Sequence, residues 1–153
     1  MNLHLSIVDE YQFLTTVKHS LWGSQRTRIN KWKIGDCLIL IVDKTLAGLA
    51  EVSGKPFTSN EKVWDNGLFP NRIPIRFLHI PRKEKRPRIE KVENELILAL
   101  GKKYTWGIVL QKTVTGDNAE KIVRTIRDTP NDMEKTIANI DRLLDESRMH
   151  KLD

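Results

Sequence analysis

The sequence predicts an α+β fold, in which a small β-barrel of about five to six strands is flanked by helices. Segments with the apolar pattern of strands are concentrated in the first half of the chain. Most segments with the apolar spacing of helices follow them. No repeat, low-complexity segment or long linker interrupts this order, so we expect a single domain over residues 1–153.

The first two elements are predicted to be a strand and a helix. Residues 3–8, LHLSIV, alternate apolar and polar side chains, which is typical of a half-buried strand. Asp9 then provides a cap for a helix that runs to about Lys18 and carries Phe13 and Val17 on its apolar face.

A β-hairpin is predicted next. Residues 37–42 form a continuous apolar run that suits a buried strand, and residues 46–52 form a second strand. The intervening Asp-Lys-Thr is a tight turn. Gly48 inside the second strand indicates a bulge or a close approach of another group to the backbone.

Two further segments are predicted to be strands. Residues 73–80 have a strand pattern, although Pro74 should confine this strand to a sheet edge or to its first residues. Residues 104–114 alternate Tyr104, Trp106 and Ile108, which also favours a strand.

Three helices are predicted in the second half of the chain. The first spans about residues 89–100 and ends at Gly101, and the second spans residues 117–126. Asn131 or Asp132 then caps a last helix. Its apolar face is formed by Met133, Ile137, Ile140, Leu143 and Leu144.

The composition is that of a folded protein without a membrane segment. Of the 153 residues, 39% are hydrophobic and 30% are charged, and no window approaches the ~18 apolar residues that cross a membrane. The N-terminus has no secretion signal. Because Cys37 lies alone in an apolar run and the His residues lack ligand spacing, we expect a reducing, cytoplasmic setting and no metal.

No motif for covalent or nucleotide chemistry is present. The chain lacks Gly-x-Ser-x-Gly and a phosphate-binding Gly-rich loop. Its paired carboxylates, at residues 9–10 and 145–146, lie where helix caps and solvated helix faces are expected. We therefore expect no catalytic residue and no cofactor.

The formal net charge of +6 favours an anionic partner without identifying one. Residues 82–88, RKEKRPR, contain five cations and one anion. This run is either a solvated loop or a clamp on phosphate groups.

Three aromatic side chains lie on predicted connections between elements. Trp22 follows the first helix, and Trp64 and Phe69 flank a turn-forming cluster. If they converge at one rim of the barrel, each stacking contact with a bound base contributes about 1–3 kcal/mol of binding free energy. The alternative is that they are core residues, as we expect for Trp32 and Trp106.

Four stretches together resemble the EVE and YTH branches of the PUA-like superfamily. Through about residue 80 their order and spacing are similar to those of YTH domains, and from residue 102 onward the chain is more similar to EVE domains. The stretches are VKHSLWGSQRTR (17–28), KIGDCLILIV (33–42), AGLAEVSGKPF (47–57) and VWDNGLFPNRIPIRFLHI (63–80).

The resemblance implies a PUA-like β-barrel with flanking helices that recognises a modified base. YTH domains bind N6-methyladenine in RNA, with the methyl group inside an aromatic cage. Matched by position, Trp22, Trp64 and Phe69 are the cage.

Matched in the same way, three residues are similar to those that contact the base edge. The Gly23 carbonyl accepts the N6–H, Gln12 faces a ring nitrogen, and Ser24 adds a backbone N–H. Gln12 stands where Asp or Asn is usual, which leaves a modified cytosine as an alternative base. The flanking phosphates would be held by Lys18, Arg26, Arg28, Arg72, Arg82, Lys83, Lys85 and Arg86.

Three functions are compatible with this sequence. The first is a non-catalytic reader of N6-methyladenine, in single-stranded RNA or flipped out of DNA. The second is the DNA-sensing domain of a modification-dependent restriction system. The third is a PUA-like RNA-processing protein or enzyme, which a carboxylate or Lys directed into the pocket would favour.

Overall fold

The computed structural model describes residues 1–152, with side chains through residue 149. Within that range the strands are β1 (Asn2–Ile7), β2 (Leu21–Ser24), β3 (Cys37–Val42), β4 (Thr45–Val52), β5 (Phe57–Thr58), β6 (Asn71–His79) and β7 (Val114–Thr115). The helices are α1 (Glu10–His19), α2 (Glu93–Leu100), α3 (Tyr104–Val109), α4 (Gly116–Arg127), α5 (Met133–Ala138) and α6 (Ile140–Leu152). Short 3-10 turns cover Arg28–Lys31, Lys83–Lys85 and Ile89–Val92.

The strands form one curled sheet in the order β2-β6-β4-β3-β1-β7, with β5 paired to β6. β1 and β3 are parallel, and the other pairs are antiparallel. This half-barrel, with helices packed around it, confirms the predicted α+β class.

The sheet separates two hydrophobic cores, and β3 contributes to both. Because side chains alternate along a strand, Leu38 and Leu40 pack on one face with residues of α1, while Ile39 and Ile41 pack on the other with residues of α2 and α4. All six residues of β3 are buried. The continuous apolar run in the sequence is therefore explained by burial on both faces.

The first helix and the hairpin have the predicted structure. The Asp9 carboxylate accepts a hydrogen bond from the Gln12 N–H at 2.7 Å and caps α1. Asp43 and Lys44 both have positive φ, as a two-residue hairpin turn requires. The β3–β4 register shifts next to Gly48, where an added Cβ would lie 2.7 Å from the Phe13 ring.

Of the two alternatives predicted for Pro74, a position at a sheet edge is wrong. β6 lies between β2 and β4 in the sheet. Pro74 is tolerated because the paired part of β4 ends at Val52, which lies opposite Ile75. Pro74 is therefore just beyond the last β4–β6 pair. There its carbonyl accepts a hydrogen bond from Ser53 N–H at 3.0 Å.

The prediction of a strand over residues 104–114 is also wrong for most of that segment. Residues 104–109 form α3, and only Val114 continues into a strand. Tyr104 and Ile108 are four residues apart and pack on the second core, which suits one face of a helix. Trp106 points away from this face and is 62% exposed, so it is not a core residue.

The predicted last helix is divided into α5 and α6 at Asn139. Four of its five predicted apolar residues, Met133, Ile140, Leu143 and Leu144, pack on the first core, whereas Ile137 is exposed. This face therefore packs on the chain's own first core, where α6 contacts α1 and α5 contacts β6. The Asn131 side chain precedes α5 and accepts from the N–H groups of Met133 and Ile80, each at 3.1 Å.

Among residues 1–152, no helix has the length and apolar character needed to cross a bilayer. In the same part of the chain, no three His, Cys, Asp or Glu side chains are grouped as metal ligands. The Cys37 thiol is buried, and this burial raises its pKa.

Candidate functional site

A cleft of about 250 Å³ lies between β2, the N-terminal part of α1 and the end of α3. The predicted base contacts Gln12, Trp22, Gly23, Ser24 and Phe69 all line it. Its other lining residues are Ser6, Ile7, Ile108, Val109 and Gln111. Its volume is close to the lower end of the range for small-molecule pockets, about 300 Å³, which suits one base-sized group.

β2 supplies the wall that carries Trp22, Gly23 and Ser24. The sequence suggested that Trp22 lies on a connection, but it lies in this strand, which pairs with β6. Trp22 is 4% exposed and belongs to the first core. Its Nε1 is buried without a hydrogen-bond partner among the described residues, so the indole is held by packing.

The backbone of Gly23 is directed away from the sheet. Ile75 N–H donates to the Ser20 carbonyl at 3.0 Å, which makes these two residues a hydrogen-bonded pair. Because such pairs alternate along an antiparallel ladder, Gly23 and Arg72 form a non-hydrogen-bonded pair. The Gly23 carbonyl and N–H therefore point to the open side of β2, the first strand in the sheet order.

Gly23 also allows the loop between β5 and β6 to approach β2. A Cβ at this position would lie 2.5 Å from Cη2 of Trp64 and 3.0 Å from Cβ of Phe69. Any side chain here would displace both aromatic residues from the strand.

Trp64 lies behind the cleft and does not line it. It is 1% exposed, and its indole N–H donates to Thr16 Oγ1 at 3.2 Å. The Trp64 and Phe69 rings meet edge to face, with centroids 5.7 Å apart. The gap for a purine between these two rings is therefore absent, and the base-sized space lies between Trp22, Phe69 and α3.

Arg72 does not present its guanidinium to solvent, so the prediction that it binds phosphate is wrong. It is 1% exposed and donates hydrogen bonds to the carbonyls of Glu61, Leu68 and Phe69. Its guanidinium also lies over the Trp64 ring, 5.3 Å from the centroid. Arg72 thus holds the loop that carries both aromatic residues.

Arg86 is likewise unavailable to phosphate, contrary to the prediction. Its side chain is 6% exposed and forms a bidentate ion pair with Glu10, at 2.6 and 2.9 Å, above the Phe13 ring. This pair attaches the basic run to the first turn of α1, which also carries Gln12.

The other predicted phosphate contacts are exposed. Lys18 pairs with Asp141 at 2.7 Å, and this hydrogen bond raises the pKa of Lys18. Arg28 donates to the Leu110 carbonyl at 2.8 Å. Arg26, Arg82, Lys83 and Lys85 are also solvent-accessible, with Arg82 lying 3.6 Å from Glu84.

A second cavity, of about 260 Å³, adjoins the first at Gln111, which lines both. Arg28 and Lys31 lie in its wall, as do His4 and Asp36. Because a carboxylate only accepts, the His4 Nε2–H donates to Asp36 Oδ2, at 2.9 Å. Burial lowers the pKa of His4 more than Asp36 raises it.

Sequence reasoning missed the α3 side of the cleft. The sequence pattern predicts a strand for Ile108, Val109 and Gln111 and gives no reason to expect them at the site. The one local signal, the helical spacing of Tyr104 and Ile108, also fits a strand. Among the described residues that line the cleft, none is Asp, Glu, Lys, Arg or His.

Solved structures of YTH domains are similar in fold to this chain. The Pho92 YTH domain in complex with m6A has a TM-score of 0.62 at 10% identity, covering 86% of this chain and 86% of that chain. The YTH domain of Zygosaccharomyces rouxii MRB1 in complex with N6-methyladenosine RNA has a TM-score of 0.58 at 11% identity, covering 85% and 90%. The Mmi1 YTH domain complex with RNA has a TM-score of 0.57 at 11% identity, covering 82% and 77%.

No protein-family model and no curated protein matches the sequence. The structural likeness establishes a YTH-like fold and confirms that part of the resemblance in the sequence.

Proposed function

We propose that this protein is a non-catalytic nucleic-acid reader that holds one unstacked base, N6-methyladenine, from single-stranded RNA. The observation that carries this proposal is the cleft itself. Gln12, Trp22, Gly23, Ser24 and Phe69, which the resemblance assigned to the base, meet at one base-sized space in a YTH-like fold.

Each lining group has a chemical role in this proposal. Trp22 and Phe69 contact the base and its methyl group, and Trp64 supports them from behind. The Gly23 carbonyl, directed away from the sheet, accepts the N6–H. The uncharged lining suits a neutral base and offers no general acid or base.

The phosphate backbone is held by exposed cations that adjoin the elements of the cleft. Arg26 follows the β2 wall, and Lys83 and Lys85 lie on the basic run attached to α1. Such contacts bind without reading the sequence. A single-stranded ligand suits the site because its base leaves the stack at less cost than a base in a duplex.

The test is a titration of matched RNA oligonucleotides carrying adenine or N6-methyladenine at one central position. Full burial of a methyl-sized group contributes about 0.8 kcal/mol, so we expect at least about a fourfold preference for the methylated oligonucleotide. Equal affinities would overturn the proposal. The same sequences as DNA show whether the reader acts on DNA instead.

Phe69→Ala tests the cleft wall. We expect it to remove the preference for the methylated base, because the Phe69 ring contacts the methyl group in this proposal. Phe57→Ala is a matched control, since Phe57 is exposed on β5 and does not line the cleft. Loss of preference in both variants, or in neither, would contradict the assignment.

A further inference from the structure

Gln111 occupies the wall between the base-sized cleft and the cavity that contains Arg28 and Lys31. Both cations are exposed, and Asp36 in the same wall is already bonded to His4 and to the Lys33 N–H. The second cavity therefore offers positive charge suited to a phosphate.

The backbone at Gln111 is strained. Its φ is +59°, a left-handed conformation that residues other than Gly, Asn and Asp rarely adopt. Hydrogen bonds hold it there, from Gln111 N–H to the Ile108 carbonyl at 2.8 Å and from Arg28 to the Leu110 carbonyl at 2.8 Å. Together with the bond from Lys112 N–H to the Gly107 carbonyl at 3.1 Å, this is a common way for a helix to end, so the C-terminus of α3 fixes the position of Gln111.

The Gln111 side chain has an acceptor without a donor. Its Nε2 donates to Ser24 Oγ at 3.2 Å, and that oxygen also accepts from Arg26 N–H at 3.0 Å. Its Oε1 is buried and has no hydrogen-bond partner among the described residues. Buried acceptors normally have a partner, so this oxygen can take a donor from the cleft once the amide turns toward the space that Gln111 lines.

The order of groups in a nucleotide identifies the donor. With the base in the cleft and its phosphate at Arg28 and Lys31, the ribose lies against Gln111. Within an RNA strand the 2′-hydroxyl is the only hydrogen-bond donor on the ribose, and DNA lacks it.

We propose that Gln111 is a specificity residue that accepts a hydrogen bond from the 2′-hydroxyl of the bound nucleotide, while Arg28 and Lys31 hold its phosphate. The site then selects RNA over DNA. This inference rests on the proposed function, because it requires a base in the cleft.

The experiment compares three RNA oligonucleotides that differ only in the sugar of the central N6-methyladenosine: ribose, 2′-deoxyribose and 2′-fluororibose. We expect the wild type to bind both substituted forms about tenfold more weakly, since neither has the donor. Equal binding of the three forms would overturn the inference. So would a 2′-fluoro form that binds as strongly as the ribose form while the 2′-deoxy form binds weakly.

Gln111→Gly provides the paired measurement. Glycine adopts a positive φ without strain, so this variant keeps the fold while it removes the amide. We expect it to bind all three sugars equally and the ribose form about tenfold more weakly than the wild type does. A deoxy penalty that persists in Gln111→Gly would show that another group reads the sugar.

The oligonucleotide with unmethylated adenine separates this inference from the proposed function. If the wild type prefers the methylated base but ignores the sugar, only the inference fails. If it shows no preference for the methylated base, the proposed function fails.

The proposal that Arg28 and Lys31 hold the phosphate is tested by the salt dependence of RNA affinity. We expect Lys31→Ala to reduce the slope of log affinity against log salt by about 0.7, the value for one contact to a single strand. Lys33→Ala is the control, because Lys33 is exposed but does not line the second cavity. Equal slopes for Lys31→Ala and the wild type would remove Lys31 from the site.

Discussion

At the scale of single residues, Arg72 shows how burial changes what a cation does. An arginine that follows an aromatic loop suggests a phosphate contact when only its neighbours in the sequence are known. In the structure its donors are directed to three backbone carbonyls and its guanidinium lies over Trp64. The Arg72 guanidinium thus holds the loop between β5 and β6, which has no regular secondary structure.

We predict that Arg72→Ala lowers the free energy of unfolding by about 3 kcal/mol, since three backbone carbonyls lose the buried charged donor that they share. Urea denaturation measures this change. The salt dependence of nucleic-acid affinity should keep its wild-type slope, whereas Arg26→Ala, at an exposed cation, should reduce it. A stable Arg72→Ala protein with a reduced slope would restore the phosphate assignment.

At the scale of elements, α3 decides the shape of the site. It closes the side of the cleft opposite β2 with Ile108 and Val109. Trp106 is three residues before Val109, and residues with this spacing lie on the same side of a helix. An exposed indole therefore lies on the same side of α3 as Val109, and we expect a base next to the bound one to stack on it.

We predict that Trp106→Ala weakens RNA affinity about tenfold and leaves the preference for the methylated base unchanged, because this ring contacts a neighbouring base. Fluorescence anisotropy with the oligonucleotide pair described above measures both quantities. Ile137→Ala, at an exposed apolar residue of α5 outside the cleft, should leave affinity unchanged. Wild-type affinity in Trp106→Ala would contradict the stacking role.

At the scale of the whole molecule, two buried histidines couple stability to pH. Burial lowers the pKa of His4, and it also lowers the pKa of His79, which bonds to Thr129 Oγ1 at 3.0 Å and lies near Arg127. Burial therefore favours the neutral form of both side chains in the folded protein. When pH falls below the ordinary value of 6.5, the unfolded chain binds more protons than the folded one.

We therefore predict that the free energy of unfolding falls as pH decreases from about 7.5 to about 5.5. The loss begins near the unfolded pKa and continues toward the lower folded values. Urea denaturation at several pH values measures it.

His79→Gln should show a smaller decrease than the wild type, and the exposed control His19→Gln should show the same decrease. A free energy of unfolding that stays constant or increases as the pH decreases over this range would contradict the assigned direction of the pKa shifts.

Much of the fold and part of the site follow from local pattern. The alternation in residues 3–8, the apolar run of β3, the Asp9 cap and the bulge at Gly48 are properties of short segments, so the sequence predicts them. The segment with Trp22, Gly23 and Ser24 and the aromatic step from Trp64 to Phe69 are identified by the resemblance of short stretches to YTH domains.

The tertiary structure alone decided which of these groups line a cavity. Trp64 is behind the wall and Gln111 is in it, because Gly23 lets one aromatic loop pack under β2 and α3 closes the opposite side. The roles of Arg72 and Arg86 depend on carbonyls and a carboxylate that are near in space. The partner most distant in sequence is Glu10, which is 76 residues from Arg86. Periodicity reports which face of a segment is apolar, but the partner of a buried charge is set by contacts between segments that folding brings together.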